Sequence, residues 1–278
     1  MIDGHHHLWD LTRRRHAWLD ATGLAPIRRS FTAADLAAAT AGHDVEATVL
    51  VQALDETAES ADILAIAERT DQIAGVVGWI DLRADRPPAR LDALRALTGG
   101  GKLVGIRHGV QDEPDPHYLD DPAVRRGVAA VGAAGLVYDL LTRPDQLAAA
   151  TRLVRALPDV RFVLDHLSKP PIAAGAIEPW RSDIRALAAL PNVSCKLSGL
   201  ATEADPTWSV ADLAPYADVV LEDFGADRVF FGSDWPVCLL AGDYAKVLDA
   251  AVALTAGLSA AERAAVFGET ARHVYALS

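Results

Sequence analysis

Two short segments at opposite ends of the chain carry residues able to do hydrolytic chemistry together. Near the start runs Asp3-Gly4-His5-His6-His7-Leu8-Trp9, and far downstream runs Phe231-Gly232-Ser233-Asp234-Trp235-Pro236. Side chains alternate between faces along a strand, so His5 and His7 point one way and His6 the other. Two imidazoles on one face, joined by a carboxylate from an adjoining strand, make half a metal site or a polar cradle for a carbonyl. A run of histidines also occurs in tag remnants, but those reach about six and are not followed by a native-looking Leu8-Trp9-Asp10. For Asp234 to meet His5 and His7, the last strand must lie beside the first, as in a closed barrel.

The elements that would position these residues follow from the hydrophobic pattern. Apolar, β-branched runs fall at 1–7, 46–54, 73–82, 103–110, 136–141, 161–167, 193–200 and 228–236. Between them lie alanine- and leucine-rich helical stretches such as Ala33–Ala41, Ala58–Arg69, Pro144–Leu157 and Trp208–Phe224. Near-continuous apolar strands indicate parallel pairing buried on both faces. Eight of them alternating with helices predict an α/β fold of the (β/α)8 TIM-barrel type. The rival doubly wound sheet would carry a Gly-x-Gly-x-x-Gly at its first strand-to-helix turn, and none is found. No linker divides the chain, so residues 1–278 are expected to form a single barrel domain. The segment Arg13–Arg29 is too polar and broken for an element and is expected to cap the barrel mouth.

Composition narrows the class further. The chain has 278 residues, of which 51% are hydrophobic, enough for one large core. A net charge of −12 argues against nucleic acid or an anionic membrane as partner. Cys195 and Cys238 cannot build a secreted-type disulfide framework and read as packing residues. With no leader-like start and no apolar run of membrane length, a cytoplasmic location is expected.

Polar and titratable groups gather where the strands end, the face on which barrels place their chemistry. These ends read Val51-Gln52, Ile106-Arg107-His108, Tyr138-Asp139, Leu164-Asp165-His166, Cys195-Lys196-Leu197-Ser198 and Gly232-Ser233-Asp234. Of nine histidines, His5, His6, His7, His108 and His166 belong to this layer.

Together, His5-x-His7, Asp165-His166-Leu167-Ser168-Lys169-Pro170, Lys196-Leu197-Ser198-Gly199 and Gly232-Ser233-Asp234-Trp235-Pro236 resemble the amidohydrolase superfamily. More narrowly they resemble its amidohydrolase-2 branch, the sugar lactone hydrolases acting on L-fucono- and L-rhamnono-lactones. The resemblance implies a distorted barrel and hydrolysis of an aldonolactone, a small neutral sugar lactone, in carbohydrate catabolism. Binuclear members carry a strand-four lysine that bridges two metals, whereas strand four here ends in Arg107-His108 and its one lysine, Lys102, lies at the wrong end. The ligands at hand, His5, His7, His166 and Asp234, suit one divalent ion, zinc by preference, with water in the open position. They suit equally a metal-free site in which the histidines donate hydrogen bonds.

Opening a lactone needs a water nucleophile, stabilisation of the oxyanion and a proton for the departing ring oxygen. Asp234 is the candidate base, with His166 and the His5/His7 pair polarising the carbonyl. Lys196, inward-facing with Ser194 and Ser198, is a candidate for the oxyanion or a substrate oxygen. Arg107, Asp139 and, with lower weight, His108 are candidates for substrate hydroxyls or a carboxylate. Trp9, Trp18 and Trp235 are candidates for stacking on a sugar ring. Two related readings stay open, a metal-dependent decarboxylase of the same branch and a hydrolase of a carboxylated lactone from aromatic catabolism. The same reading admits a homodimer.

Overall fold

The computed structural model of the chain describes residues 1–278. One parallel sheet runs in strand order from β1 to β8. Its strands are β1 (Ile2–His6), β2 (Ala47–Val51), β3 (Ile73–Gly78), β4 (Leu103–His108), β5 (Val137–Leu140), β6 (Phe162–Leu164), β7 (Val193–Leu197) and β8 (Val229–Phe231). The connecting helices are α1 (Ala33–Thr40), α2 (Thr57–Glu68), α3 (Pro87–Arg95), α4 (Pro122–Ala133), α5 (Leu147–Ala156), α6 (Trp180–Ala188), α7 (Val210–Phe224) and α8 (Tyr244–Leu254). Two more, α9 (Ala260–Ala264) and α10 (Thr270–Tyr275), end the chain. All eight expected strands are present, so the fold is the anticipated (β/α)8 barrel. No helix is long and apolar enough to cross a membrane.

Local sequence sets the helix starts. Thr32 with Asp35, and Ser209 with Asp212, form reciprocal capping boxes at α1 and α7. Asp121 caps α4 ahead of Pro122, whose missing N–H costs nothing at the first helical position. Inside α5, Leu147, Ala150, Thr151 and Val154 fall on one buried stripe against the sheet.

Closure of β1 on β8 runs through side chains as much as backbone. His7 N–H donates to the Trp235 carbonyl at 2.7 Å and Asp234 N–H to the His5 carbonyl at 2.8 Å. One layer lower the buried Asp3 carboxylate accepts from Ser233 N–H at 2.8 Å, His5 N–H at 3.2 Å and the Tyr244 hydroxyl at 3.1 Å. Burial raises the Asp3 carboxyl to about 6 despite these donors. The two backbones approach closely here. A Cβ on Gly232 would lie 2.6 Å from that of His5, and one on Gly4 would strike the Phe230 ring.

The barrel interior is layered along its axis. At the bottom, Val49, Val51, Val77, Val137, Val163 and Phe230 pack against Val274, Tyr275 and Leu277 from α10 and the tail. Above them lie charged residues, then the histidines, then the mouth. Outside the barrel a second, larger core fills the space between sheet and helices and includes Cys195 and Leu197. Tyr275 reaches up the axis to donate its hydroxyl to Asp139 Oδ2 at 2.7 Å. The mouth is covered by residues 13–29, where two short 3₁₀ turns, Ala17–Asp20 and Ala25–Ile27, stand in a stretch expected to hold no element.

Tyr275→Phe is expected to lower unfolding free energy by about 1–3 kcal/mol, since it removes a hydrogen bond to a buried carboxylate. Tyr275→Ala should cost about 3–5 kcal/mol by opening a cavity as well. Urea denaturation would measure both; a Tyr275→Phe loss below about 0.5 kcal/mol would count against the axial role.

Candidate active site

The histidine layer is assembled by β1, the turn after β6 and the segment after β8. His5 and His7 point inward from the end of β1, and His6 points outward to Thr48 Oγ1 at 2.9 Å, as strand alternation requires. The Nε2 atoms of His5 and His7 lie 3.1 Å apart, and Asp234 Oδ1 lies 3.6 Å from the first and 3.4 Å from the second. His166 Nε2 is 3.9 Å from the same oxygen. Asp234 reaches this position through a left-handed backbone (φ 56°).

The turn after β6 is the most strained stretch of the chain. His166, Leu167, Ser168 and Lys169 all have φ between 51° and 57°, and none is glycine. Each such residue costs about 1–2 kcal/mol, so the surroundings must over-determine the turn. They do so by several routes. The Trp180 indole donates to the Leu167 carbonyl at 2.8 Å, Ser168 pairs with Thr142 at 2.8 Å, and Lys169 meets Glu203 at 3.1 Å. Ser198 Oγ lies 2.8 Å from His166 Nδ1. Because the turn breaks strand alternation, Asp165 and His166 both enter the barrel.

Beneath the histidines lies a buried charge layer. Lys196 Nζ is 2.6 Å from Asp139 Oδ2, 2.8 Å from Asp165 Oδ1 and 3.1 Å from His5 Nδ1. Arg107 donates to Asp165 Oδ2 at 2.9 Å, to Gln52 Oε1 at 3.1 Å and to the Gln52 carbonyl. Burial works against ionisation of Asp165, but Lys196, His5 and Arg107 together hold its carboxyl well below the ordinary range.

The structure departs from the substrate-contact expectation at six residues. Lys196 and Asp139 are fully enclosed and line no part of the mouth cavity, so neither can touch substrate. Arg107 borders the cavity, but Asp165 and Gln52 occupy its guanidinium. His108 is turned into the wall, stacked on Tyr118 and held by Asp55 at 3.1 Å and Glu113 at 2.8 Å. Trp9 and Trp235 also face away, each edge-on to Phe31 in the core. The tryptophan that does line the cavity is Trp18.

The cavity holds about 580 Å³ and has a mixed lining. Ala17, Trp18, Leu24, Val237 and Leu240 give it apolar surface; Asp55, Gln111, Asp112 and Glu203 give it polar groups. His7, His166 and Asp234 make its floor. Asp55, Gln111, Asp112, Glu203, Leu24, Val237 and Leu240 carry no signal in the sequence, because they lie in loops and short 3₁₀ turns without periodicity. Asp165 could have been found from its place beside His166 in the same motif.

The floor suits a divalent cation. His7 Nδ1 donates to the Val51 carbonyl at 2.8 Å, which leaves Nε2 with its lone pair facing His5 and Asp234. Three ligand atoms on one tetrahedral ion, each about 2.0–2.2 Å from it, stand about 3.3–3.6 Å apart. The observed separations of 3.1–3.6 Å match. Burial, joined by like charges, also favours neutral imidazoles: it lowers His6 to about 3 and, despite Asp234, His166 to about 4. Burial opposes the charge of Asp234, yet His166, His7 and His5 hold its carboxyl below the usual range.

The His6 shift carries a linkage. The folded state resists protonating His6, whereas the unfolded chain takes the proton near 6.5, so its contribution is present above 6.5 and fades as pH falls towards 3. The stability gap between wild type and His6→Gln should therefore narrow between pH 6.5 and 4. Urea midpoints across that range test this, and a gap that widens on acidification contradicts it.

Comparison with known proteins places these features in context. Residues 2–277 match the family described as amidohydrolase. An L-fucono-1,5-lactonase of Burkholderia ambifaria is 40% identical over 278 residues, covering 99% of this chain and 94% of the relative. The L-fucono-1,5-lactonase of Burkholderia multivorans is 39% identical, covering 99% and 96%. A crystal structure of an amidohydrolase from Burkholderia multivorans with bound zinc superposes with a TM-score of 0.93 at 39% identity, covering 100% of this chain and 99% of that one.

Proposed function

The chain belongs to the amidohydrolase family, and we propose that it opens L-fucono-1,5-lactone, or a close deoxy-sugar lactone, to the aldonic acid. It is a hydrolase acting on the cyclic ester of a sugar, as its full-length likeness to lactonases supports. The observation that carries the reading is Asp234, an ionised carboxylate held beside three imidazoles on the floor of a cavity lined by both apolar and polar residues.

In the reaction, water bonds to the lactone carbonyl carbon while one of its protons passes to Asp234. The tetrahedral intermediate then expels the ring oxygen, and Asp234 returns the proton to that alkoxide. Asp234 Oδ1 faces the imidazoles, which leaves Oδ2 for the proton. His166, oriented through Nδ1 by Ser198, donates from Nε2 to the developing oxyanion. A zinc ion would be held by His5, His7 and Asp234; when bound it would polarise the carbonyl and acidify the attacking water.

The cavity walls argue for a neutral deoxy sugar. Its methyl group would rest against Leu24, Val237 and Leu240, and its hydroxyls would meet Asp55, Gln111 and Asp112. No guanidinium is left unpaired to receive a carboxylate, since Arg107 is engaged by Asp165 and Gln52. That disfavours the carboxylated-lactone and decarboxylase alternatives. Two buried free thiols accord with action in the cytoplasm, in carbohydrate catabolism.

Hydrolysis of an aldonolactone panel, followed by pH indicator, should favour deoxy-sugar lactones over simple esters and amides. Asp234→Asn should lower kcat by about 10²–10⁴-fold with the fold intact. Release of CO₂ from an aromatic acid with no lactone turnover would replace the reading. Dialysis against chelator should remove most activity and zinc restore it; unchanged turnover in metal-free enzyme would assign the carbonyl to the histidines alone.

A further inference from the structure

Apart from the imidazoles, the charged side chains lining the mouth cavity are Asp55, Arg107, Asp112, Lys169, Glu203 and Asp234. Arg107 is occupied by Asp165 and Gln52, and Asp55 by Gly109 N–H, Gln52 and His108. Lys169 and Glu203 differ from these. Their side chains pair only with each other, Nζ to Oε1 at 3.1 Å, and each is 27% exposed. We propose that this ammonium–carboxylate pair clamps a vicinal diol, the hydroxyls on the two lactone carbons next to the carbonyl, and so selects hydroxylated lactones over unsubstituted ones.

Three observations carry this. First, the pair complements two adjacent hydroxyls. An ammonium only donates and a carboxylate only accepts, whereas a hydroxyl does both. Lys169 Nζ donates to one hydroxyl oxygen, and the neighbouring hydroxyl donates to Glu203. The 3.1 Å from Nζ to Oε1 is close to the spacing of gauche oxygens on adjacent carbons. Nζ keeps two N–H bonds, and Glu203 keeps Oε2, free of protein partners. Second, the pair stands at the carbonyl end of the cavity. Lys169 closes the turn that begins at His166. Glu203 ends the 3₁₀ turn Ala201–Glu203, just past Gly199, where a Cβ would come within 2.7 Å of His166 Nδ1. Third, Lys169 holds a left-handed backbone (φ 53°), a strain that a part-exposed ion pair offsets poorly. Strain that brings a charged side chain to a cavity wall points to a ligand there.

Lys169 and Glu203 are thus specificity-determining residues. The inference rests on the reading that the cavity takes a sugar lactone with its carbonyl at His166, and the test separates the two.

Wild type, Lys169→Met, Glu203→Gln and the double variant would be assayed on an aldono-1,5-lactone, its 2-deoxy analogue and δ-valerolactone. Titration calorimetry with the matching lactams, which carry the same hydroxyls on an amide ring, measures binding without turnover. Wild type should prefer the hydroxylated lactone to the 2-deoxy one by about 10–100-fold in kcat/KM, the effect of one charged hydrogen bond. Each single variant should lose most of that preference, chiefly through a raised KM. The double variant should lose little more, since the two groups act together. Should Lys169→Met disturb the turn, Glu203→Gln, nearly identical in size, carries the same test. Equal losses on all three lactones would mark a structural role and overturn the proposal, as would single variants that keep the wild-type preference. A wild-type preference for a lactone bearing a carboxylate at those carbons would overturn it too, by giving the ammonium an anion. If wild type opens no lactone yet binds the hydroxylated lactam through Lys169 and Glu203, the clamp stands and the reading of the reaction falls. Neither turnover nor lactam binding in wild type would overturn both.

Discussion

The ion cluster of Lys196, Asp139, Asp165 and Arg107 on the barrel axis is the constraint on which the rest of the structure depends. Bringing charges this far from water costs several kcal/mol per ion unless each is paired. Here every charge has a partner supplied by a different strand: Arg107 by β4, Asp139 by β5, Asp165 by the end of β6 and Lys196 by β7. Pairing across four strands ties their register together. It also provides a rigid deck on which His5 rests, so the chemistry above inherits its precision from the charges below.

Strain is the second expense of the site. The left-handed turn His166–Lys169 is held by Trp180, Thr142, Glu203 and Ser198. Its effect is to aim two consecutive side chains into the barrel. Asp165 goes down into the charge layer and His166 up to the cavity floor, a division no regular strand could achieve. Asp234 uses the same left-handed conformation for a related end.

Much of this was legible in the sequence. Alternation correctly placed His5 and His7 inward and His6 outward, and apolar runs located all eight strands. The same rule turned Lys196 inward, yet it says nothing of depth along the axis, so a residue of the buried deck read as a substrate contact. Asp139 misled for the same reason. The aromatic lining was assigned to Trp9 and Trp235 by proximity to the motifs, but loop geometry gave that place to Trp18. Tyr275 carried no signal, because its partner Asp139 lies 136 positions away.

That distance has a consequence for how the protein is made. The deck needs Tyr275 from the last turn of the chain, and Asp3 from its beginning closes on Ser233, 230 positions on. Such non-local pairings form late, after the cost of closing long loops has been met. Until α10 docks, the barrel is an unsealed tube with its charged interior open from below, because Val274, Tyr275 and Leu277 close that end. The tail that does no chemistry is the stopper that lets the chemistry begin.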